Sequence, residues 1–552
     1  VWGLAGLWDR IEKGEIHVGA EQAGSSGTDV GGISVPHVRS YGTLAGSNGA
    51  SDTETALPAM RAVDVSRFHG GGQEGNRHAD QSPVIVLEDP PNLITCRVRG
   101  LPGTLQIADL RNWGIDQYPN DLLPGLRAKW LLDVMIRMID VLVVNGWGGL
   151  KLTSGAQAMG TFRYRFLTDT IHCHTDQPSL EIERDALYGG RCECFRLGRV
   201  PGRCYHLDFR SLYAAVMYED DLPAQLVGRG TGAPSPELLR RDEIDGVIAK
   251  VTLHTDTPRY PCRKDGIVIY PVGVFTTTLA GPELAVAQIE GEIDEYHEWV
   301  GYRRSPCCRD YALSLYSALR IARDGEDGPM VAWLKRLLVS LPGRFAMHGS
   351  KWVDAPDALP PAPWCQWTRE VEGGELVRHR AMAWQCQREV KEPWAVDAMP
   401  AIAAWITSAA RVRLLDAIEA AGWEQVYYCD TDSVIVSETG FDALLNGGWV
   451  ATSELGFLRE MEDGEDLEVC GIKHYTIAGH RRCSGEPKGM KERGPDAVHY
   501  WYREWLRQAV RGGHAPIVER VLRRYARDEV YRHGTVGPDG KVSPFRLTER
   551  QT

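Results

Sequence analysis

Asp430, Thr431, Asp432 and Ser433 constrain this chain more than any other stretch, because they interrupt two runs that favour extended backbone. Val426, Tyr427, Tyr428 and Cys429 lead in, and Val434, Ile435 and Val436 lead out. β-Branched and aromatic runs around a short polar break predict a hairpin with two carboxylates at its tip. Side chains at i and i+2 of a strand point the same way, so Asp430 and Asp432 would repel each other unless a cation sits nearby. The pattern points to a divalent metal. The competing reading is an Asp-rich turn that only satisfies its own backbone.

Upstream, Cys204, Tyr205, His206, Leu207, Asp208 and Phe209 read as a short strand running into a helix over 210–218, with Asp208 at the junction. Here the chain resembles family B DNA polymerases, and among them the protein-primed, viral and mobile-element branch. Asp208, Phe209, Arg210, Ser211, Leu212, Tyr213 is similar to that family's motif A, with Ala214 in place of the common Pro. Tyr428, Cys429, Asp430, Thr431, Asp432, Ser433 is similar to motif C. Between them, the segment from Lys335 to Phe345 is similar to motif B, with Val339 where Asn is usual and Pro342 where Tyr is usual. Apolar residues at 330, 331, 334, 337, 338 and 341 trace one helical face that leaves Lys335 off it, and Pro342 with Gly343 is expected to end that helix. Gly471, Ile472, Lys473, His474, Tyr475 resembles the Lys-x-Tyr motif, and Leu187, Tyr188, Gly189, Gly190, Arg191 resembles the Tyr-x-Gly-Gly linker, with Leu187 at its Tyr position.

The resemblance implies an α+β right-hand polymerase of palm, fingers and thumb, behind a ribonuclease H-like exonuclease-type domain. It implies templated DNA synthesis in which two Mg²⁺ (or Mn²⁺) ions activate the primer 3′-hydroxyl and neutralise the triphosphate. Asp208 and Asp432, helped by the Phe209 carbonyl, are the implied metal ligands, with Asp430 in support. Lys335 is implied as the catalytic cation on the β and γ phosphates, assisted by Arg323. Ser211, Leu212 and Tyr213 join Phe209 around the nucleotide, where Tyr213 would sit under the deoxyribose. Tyr188, Gly189, Gly190, Arg191, Thr431, Ser433, Lys473 and Tyr475 are implied DNA contacts. The implied partners are primer-template DNA, dNTPs and a terminal protein primer, for replication of a phage, virus, plasmid or mobile element. A 3′–5′ nuclease and a non-catalytic DNA-binding relic are the alternatives, the latter motivated by Val339 and Pro342.

The expected organisation is a poorly ordered Gly-rich segment over 1–83 and an exonuclease-like domain over 84–180. The palm begins over 181–230, and 231–325 is an insertion with the approach to the fingers. The fingers follow at 326–345, a second insertion at 346–395, the returning palm at 396–475 and the thumb at 476–552. Strands are expected at 84–87, 92–98 and 104–107, with helices at 128–145, 398–420, 501–510 and 517–531. Asp52 and Glu54 resemble the first exonuclease motif without its hydrophobic strand, and Asp133 matches the third, with Lys129 where Tyr is usual. No second motif lies between. Val1 in place of an initiating Met reads as a fragment or a processed form.

A formal net charge of −12 argues against a simple basic nucleic-acid glue, so distribution matters more than the sum. Six Lys and Arg side chains between 472 and 494 suit phosphate contact, whereas the acidic block over 460–468 reads as solvated surface. Thirteen cysteines, an odd number at scattered spacing, suit free thiols in a reducing cytoplasm, and the His172–His174 and Cys192–Cys194 spacings match no common zinc module. The longest apolar stretch, 398–410, is too short to cross a bilayer. A cytoplasmic monomer is expected, in the host cytoplasm if the chain is viral. With its exonuclease motifs incomplete, the chain should not proofread; mononucleotides released from a 3′-labelled primer without dNTPs would overturn this.

Overall fold

The computed structural model describes residues 17–19, 84–88, 93–97, 105–109, 113, 115, 124–151, 153–168, 170–235, 245–359, 364–370, 376–392, 395, 398–451, 453–484, 492–493, 497–503, 518–524 and 531–548. Most of the segment expected to be poorly ordered, with Asp52 and Glu54, lies outside them. The chain divides into two compact units, 1–169 with 308–344, and 170–307 with 345–552.

The first unit carries a small sheet ordered His17–Gly19, Val84–Glu88, Leu93–Arg97, Leu105–Asp109, so the three expected strands form. The expected helix spans Pro124–Val144. Two further helices, Arg309–Asp324 and Gly328–Phe345, belong to this unit up to 344. Their apolar faces meet in an aromatic knot, in which Tyr311 packs edge-on against Phe162 and Phe166 and its hydroxyl donates to the Leu337 carbonyl at 3.0 Å.

One expectation fails here. Pro342 does not end the second helix, which runs on to Phe345. Proline removes one ladder hydrogen bond, but only the last turn remains beyond it, and buried Leu341 and Phe345 hold that turn in place.

The second unit is built on an antiparallel sheet of β1 (Cys192–Cys194), β2 (Cys204–Phe209), β3 (Val426–Asp430), β4 (Ser433–Ser437) and β5 (Leu458–Gly464), in the order β5-β2-β4-β3-β1. Both faces of the inner strands are buried, which explains their near-continuous apolar composition. On one face Cys194, Cys204, Tyr428 and Ile435 pack with Val469, Tyr475 and Ile477. On the other, Tyr205 stacks on Phe441 with ring centroids 4.2 Å apart.

A second five-stranded sheet uses Leu222–Thr231, Gly246–Thr255, Val272–Ala280, Ile293–Ser305 and the C-terminal Arg546–Leu547. The span expected as an insertion with the approach to the fingers thus supplies three strands of this sheet, and up to Cys307 it belongs to the unit that holds Asp208. The span over 346–395 carries a four-stranded sheet of its own.

Where helices are expected over 501–510 and 517–531, the described residues 501–503 and 518–524 are strand. Ala497–Arg503 and Val518–Arg524 are paired antiparallel strands. Val498, Tyr500, Trp501 and Tyr502, then Val518 and Val521, are β-branched or aromatic, which favours strand.

The central helix, Pro400–Ala421, is nearly all buried and carries Arg411 into the interior. Arg411 is 2% exposed and forms a bidentate pair with Glu283, Nε to Oε1 at 2.8 Å and Nη2 to Oε2 at 2.6 Å. Burial works to lower the Arg411 pKa, but the Glu283 carboxylate outweighs it and holds the guanidinium firmly charged. Breaking such a pair strands a charge, so Arg411→Met should cost about 3–5 kcal/mol in chemical unfolding. The double variant with Glu283→Gln should cost less than the two single changes combined.

Candidate active site

Strand register brings the separated carboxylates together. Asp430 pairs with Ser433 across the hairpin, and Ser433 pairs with Asp208 on the next strand, so Asp430, Ser433 and Asp208 form one cross-strand row. Paired residues share a face, which turns the side chains of Asp208 and Asp430 to the same side of the sheet. Asp432 stands in the two-residue turn beside them.

The turn is fastened on both sides. Thr431 adopts a left-handed φ of 61°, and its N–H donates to the Arg191 carbonyl at 2.6 Å. The Asp432 N–H donates to the Asp430 carbonyl, and the Phe209 N–H donates to the Asp432 carbonyl, each at 2.6 Å. The last bond joins the residue after Asp208 directly to Asp432.

Residues 188–191 form the wall behind this turn. Gly189 has φ 79°, and its carbonyl accepts from Arg411 Nη1 at 2.5 Å. Gly190 lies so close that a Cβ there would fall 2.6 Å from Thr431 Cγ2. The Tyr188 hydroxyl bonds Thr277 Oγ1 at 2.8 Å, and its ring lies under the Arg263 guanidinium. Arg191 is 1% exposed, donates to Glu193 Oε2 at 2.6 Å and to the Pro258 carbonyl at 2.8 Å, and lies over the Tyr270 ring.

The expectation that Arg191 contacts DNA is therefore corrected: its charge is spent inside the protein, and the segment supports the hairpin. Tyr475 and Ser433 need the same correction. The Tyr475 ring is buried 5.1 Å from that of Tyr428, and buried Ser433 donates its hydroxyl to the Asp430 carbonyl at 3.2 Å.

Cations already attend the carboxylates. Lys473 Nζ donates to both Asp430 oxygens, at 2.8 and 2.9 Å, and Arg459 Nη2 reaches Asp208 Oδ1 at 3.5 Å. Partial burial works against the Lys473 charge, but the Asp430 hydrogen bonds outweigh it and hold its pKa above the usual lysine value. Burial, helped by Asp430, pushes the Cys192 thiol up to about 12, so it stays protonated. Burial likewise pushes the Tyr213 hydroxyl up to about 12, against the pull of Arg411 and with Asp432 and Asp430 adding to the rise. Tyr213 lies near the top of the helix Leu212–Glu219, which Ser211 opens with a left-handed φ of 54°. Phe209 and Leu212 are buried.

Lys335 and Arg323 belong to the first unit. Lys335 is exposed on the helix Gly328–Phe345, off its apolar face as the spacing requires, and Arg323 is half-buried near the end of Arg309–Asp324. Asp133, half-buried, lies on the helix Pro124–Val144.

Residues 150–352 match the model of DNA polymerase type B, organellar and viral. The fold is similar to that of Phi29 DNA polymerase. Against its ternary complex with primer-template DNA and incoming nucleotide, the TM-score is 0.53 at 13% identity, over 78% of this chain and 82% of the other. Against its post-translocation binary complex with primer-template DNA the TM-score is 0.50 at 13% identity, over 73% and 78%. No curated protein matches the chain.

The likeness is to family B DNA polymerases, of the organellar and viral type.

The three acidic residues expected from motifs A and C lie at one end of the sheet, on adjoining strands and the turn between two of them. Sequence reasoning missed Arg459, Cys192 and the Arg411–Glu283 pair. Arg411 had one available signal, that it and Arg413 are the two charges inside the otherwise uncharged run Ile402 to Leu415. Among the described residues, no group of three or more His, Cys, Asp or Glu side chains is arranged to hold a metal ion.

The close approach at Gly190 yields a test. Gly190→Ala should destabilise the protein by about 1–3 kcal/mol in thermal or chemical unfolding. Thr431→Gly, which removes the opposing side chain and suits the positive φ, should recover most of that loss.

Proposed function

We propose that the chain is a DNA-templated DNA polymerase that adds deoxynucleotides to a primer 3′-hydroxyl by nucleotidyl transfer. The observation that carries this reading is the meeting of Asp208 and Asp432 at one end of a buried sheet, joined by the Phe209 N–H to Asp432 carbonyl bond. The Phi29 structures, one bound to primer-template DNA and one also to incoming nucleotides, support DNA and dNTPs as partners. The same likeness supports a right-hand division into palm, fingers and thumb, in which the sheet of β1 to β5 would be palm and Gly328–Phe345 would belong to the fingers.

The donor set suits Mg²⁺ or Mn²⁺. Mg²⁺ is commonly held by one or two carboxylates plus substrate phosphates, so a closed protein cage is not required. Asp208 and Asp432 would hold it with the Phe209 carbonyl, and Asp430, occupied by Lys473, would support. The bound ions would activate the primer hydroxyl and neutralise the triphosphate and leaving pyrophosphate.

The chain's own residues do the rest. By the resemblance in motif B, Lys335 would balance charge on the β and γ phosphates, assisted by Arg323. Tyr213, in the first turn of the helix Leu212–Glu219, would stand under the sugar and exclude a 2′-hydroxyl. Thr431 and Lys473 meet the primer strand. A terminal protein hydroxyl is the proposed alternative to a nucleic-acid primer end.

A 5′-labelled primer-template with Mg²⁺ and dNTPs should be extended, and Asp432→Asn should lower the rate on the order of 10²–10³-fold, the scale expected when one electrostatic stabiliser is removed. No extension by the wild type, or full extension by Asp432→Asn, would defeat the proposal. Tyr213→Ala should raise ribonucleotide incorporation while leaving dNTP use largely intact.

A further inference from the structure

Lys473 does more in this structure than present a cation to solvent. Its ammonium spans both oxygens of Asp430, at 2.8 and 2.9 Å, and so covers the lone pairs a divalent ion would need. The contact is preset by the backbone. Lys473 sits at a left-handed φ of 54°, and its N–H donates to the Tyr428 hydroxyl at 2.9 Å. Its carbonyl accepts from the Ser484 N–H at 2.8 Å. Tyr428 is fully buried, and its hydroxyl also faces Asp430 Oδ2 at 3.4 Å and Cys192 Sγ at 3.5 Å. Asp430 and Lys473 are thus anchored to one tyrosine from two separate hairpins.

Two carboxylates beside a third would ordinarily compete for the same ions, because each added anion lowers the energy of a nearby dication. An ammonium locked on one of them removes it from that competition.

We propose that Lys473 is a positioning residue that serves as the resident counter-ion of Asp430 and so restricts divalent ions to Asp208 and Asp432. This rests on the two-carboxylate reading above. A lysine that is half exposed can also leave when a phosphate of the primer approaches, which would link strand arrival to the charge state of the site.

The test is Mn²⁺ binding to the full chain without DNA or nucleotide, followed by electron paramagnetic resonance. The wild type should bind Mn²⁺, and Asp208→Asn should abolish that binding; binding unaltered by Asp208→Asn, or none in the wild type, defeats the two-carboxylate reading itself. Lys473→Met should either add a bound ion or tighten Mn²⁺ binding on the order of tenfold. The gain should vanish in Lys473→Met with Asp430→Asn, and Lys473→Arg should behave as the wild type. If Asp208→Asn abolishes binding while Lys473→Met binds as the wild type does, the counter-ion role is wrong and the two-carboxylate reading stands.

Discussion

The candidate site leans on one buried ion pair. Arg411, carried into the interior by the helix Pro400–Ala421, binds Glu283 through two bonds and spends its remaining nitrogen on the Gly189 carbonyl. Gly189 and Gly190 can then lie flat against the hairpin tip, where Thr431 fills the space a side chain at 190 would need. A buried pair of this kind is weak evidence for added stability, because desolvation offsets much of the attraction. Its visible consequence is positional: a guanidinium held in one orientation fixes a main-chain carbonyl, and that loop backs the turn bearing Asp432.

A second arrangement follows the same logic in charge. Three carboxylates at one sheet end would repel one another, and the chain supplies Lys473 to Asp430 and Arg459 to Asp208. Arg191, which looks like one more surface cation, is instead neutralised by Glu193 and stacked on Tyr270. The difference lies in burial. A guanidinium out of water needs an anion and acceptors close at hand, whereas the half-exposed Lys473 keeps access to solvent and to a ligand.

Much of the site was legible in the chain. The alternation of β-branched and aromatic residues around Asp430 and Asp432 forecast the hairpin, and the junction at Asp208 forecast strand then helix; both occur. The apolar face of Gly328–Phe345 and the exposure of Lys335 were equally readable, since helical spacing reports which side packs. Pro342 misled because a proline ends a helix only where no packed turn lies beyond it. The helices expected over 501–510 and 517–531 were misread because β-branched and aromatic residues at 498, 500–502, 518 and 521 favour strand. Tyr475 and Arg191 were misassigned because residue type does not tell buried from exposed.

What the sequence determined alone is local: which residues prefer strand or helix, and that acidic residues sit where strands end. These depend on neighbours a few positions apart. Tertiary structure decided which strands adjoin, and thereby that Asp208 and Asp432 share one hydrogen-bonded corner although more than two hundred positions separate them. It also decided that Arg411 faces Glu283 and that Lys473 covers Asp430. Register and burial arise from contacts between distant segments, which no local pattern encodes.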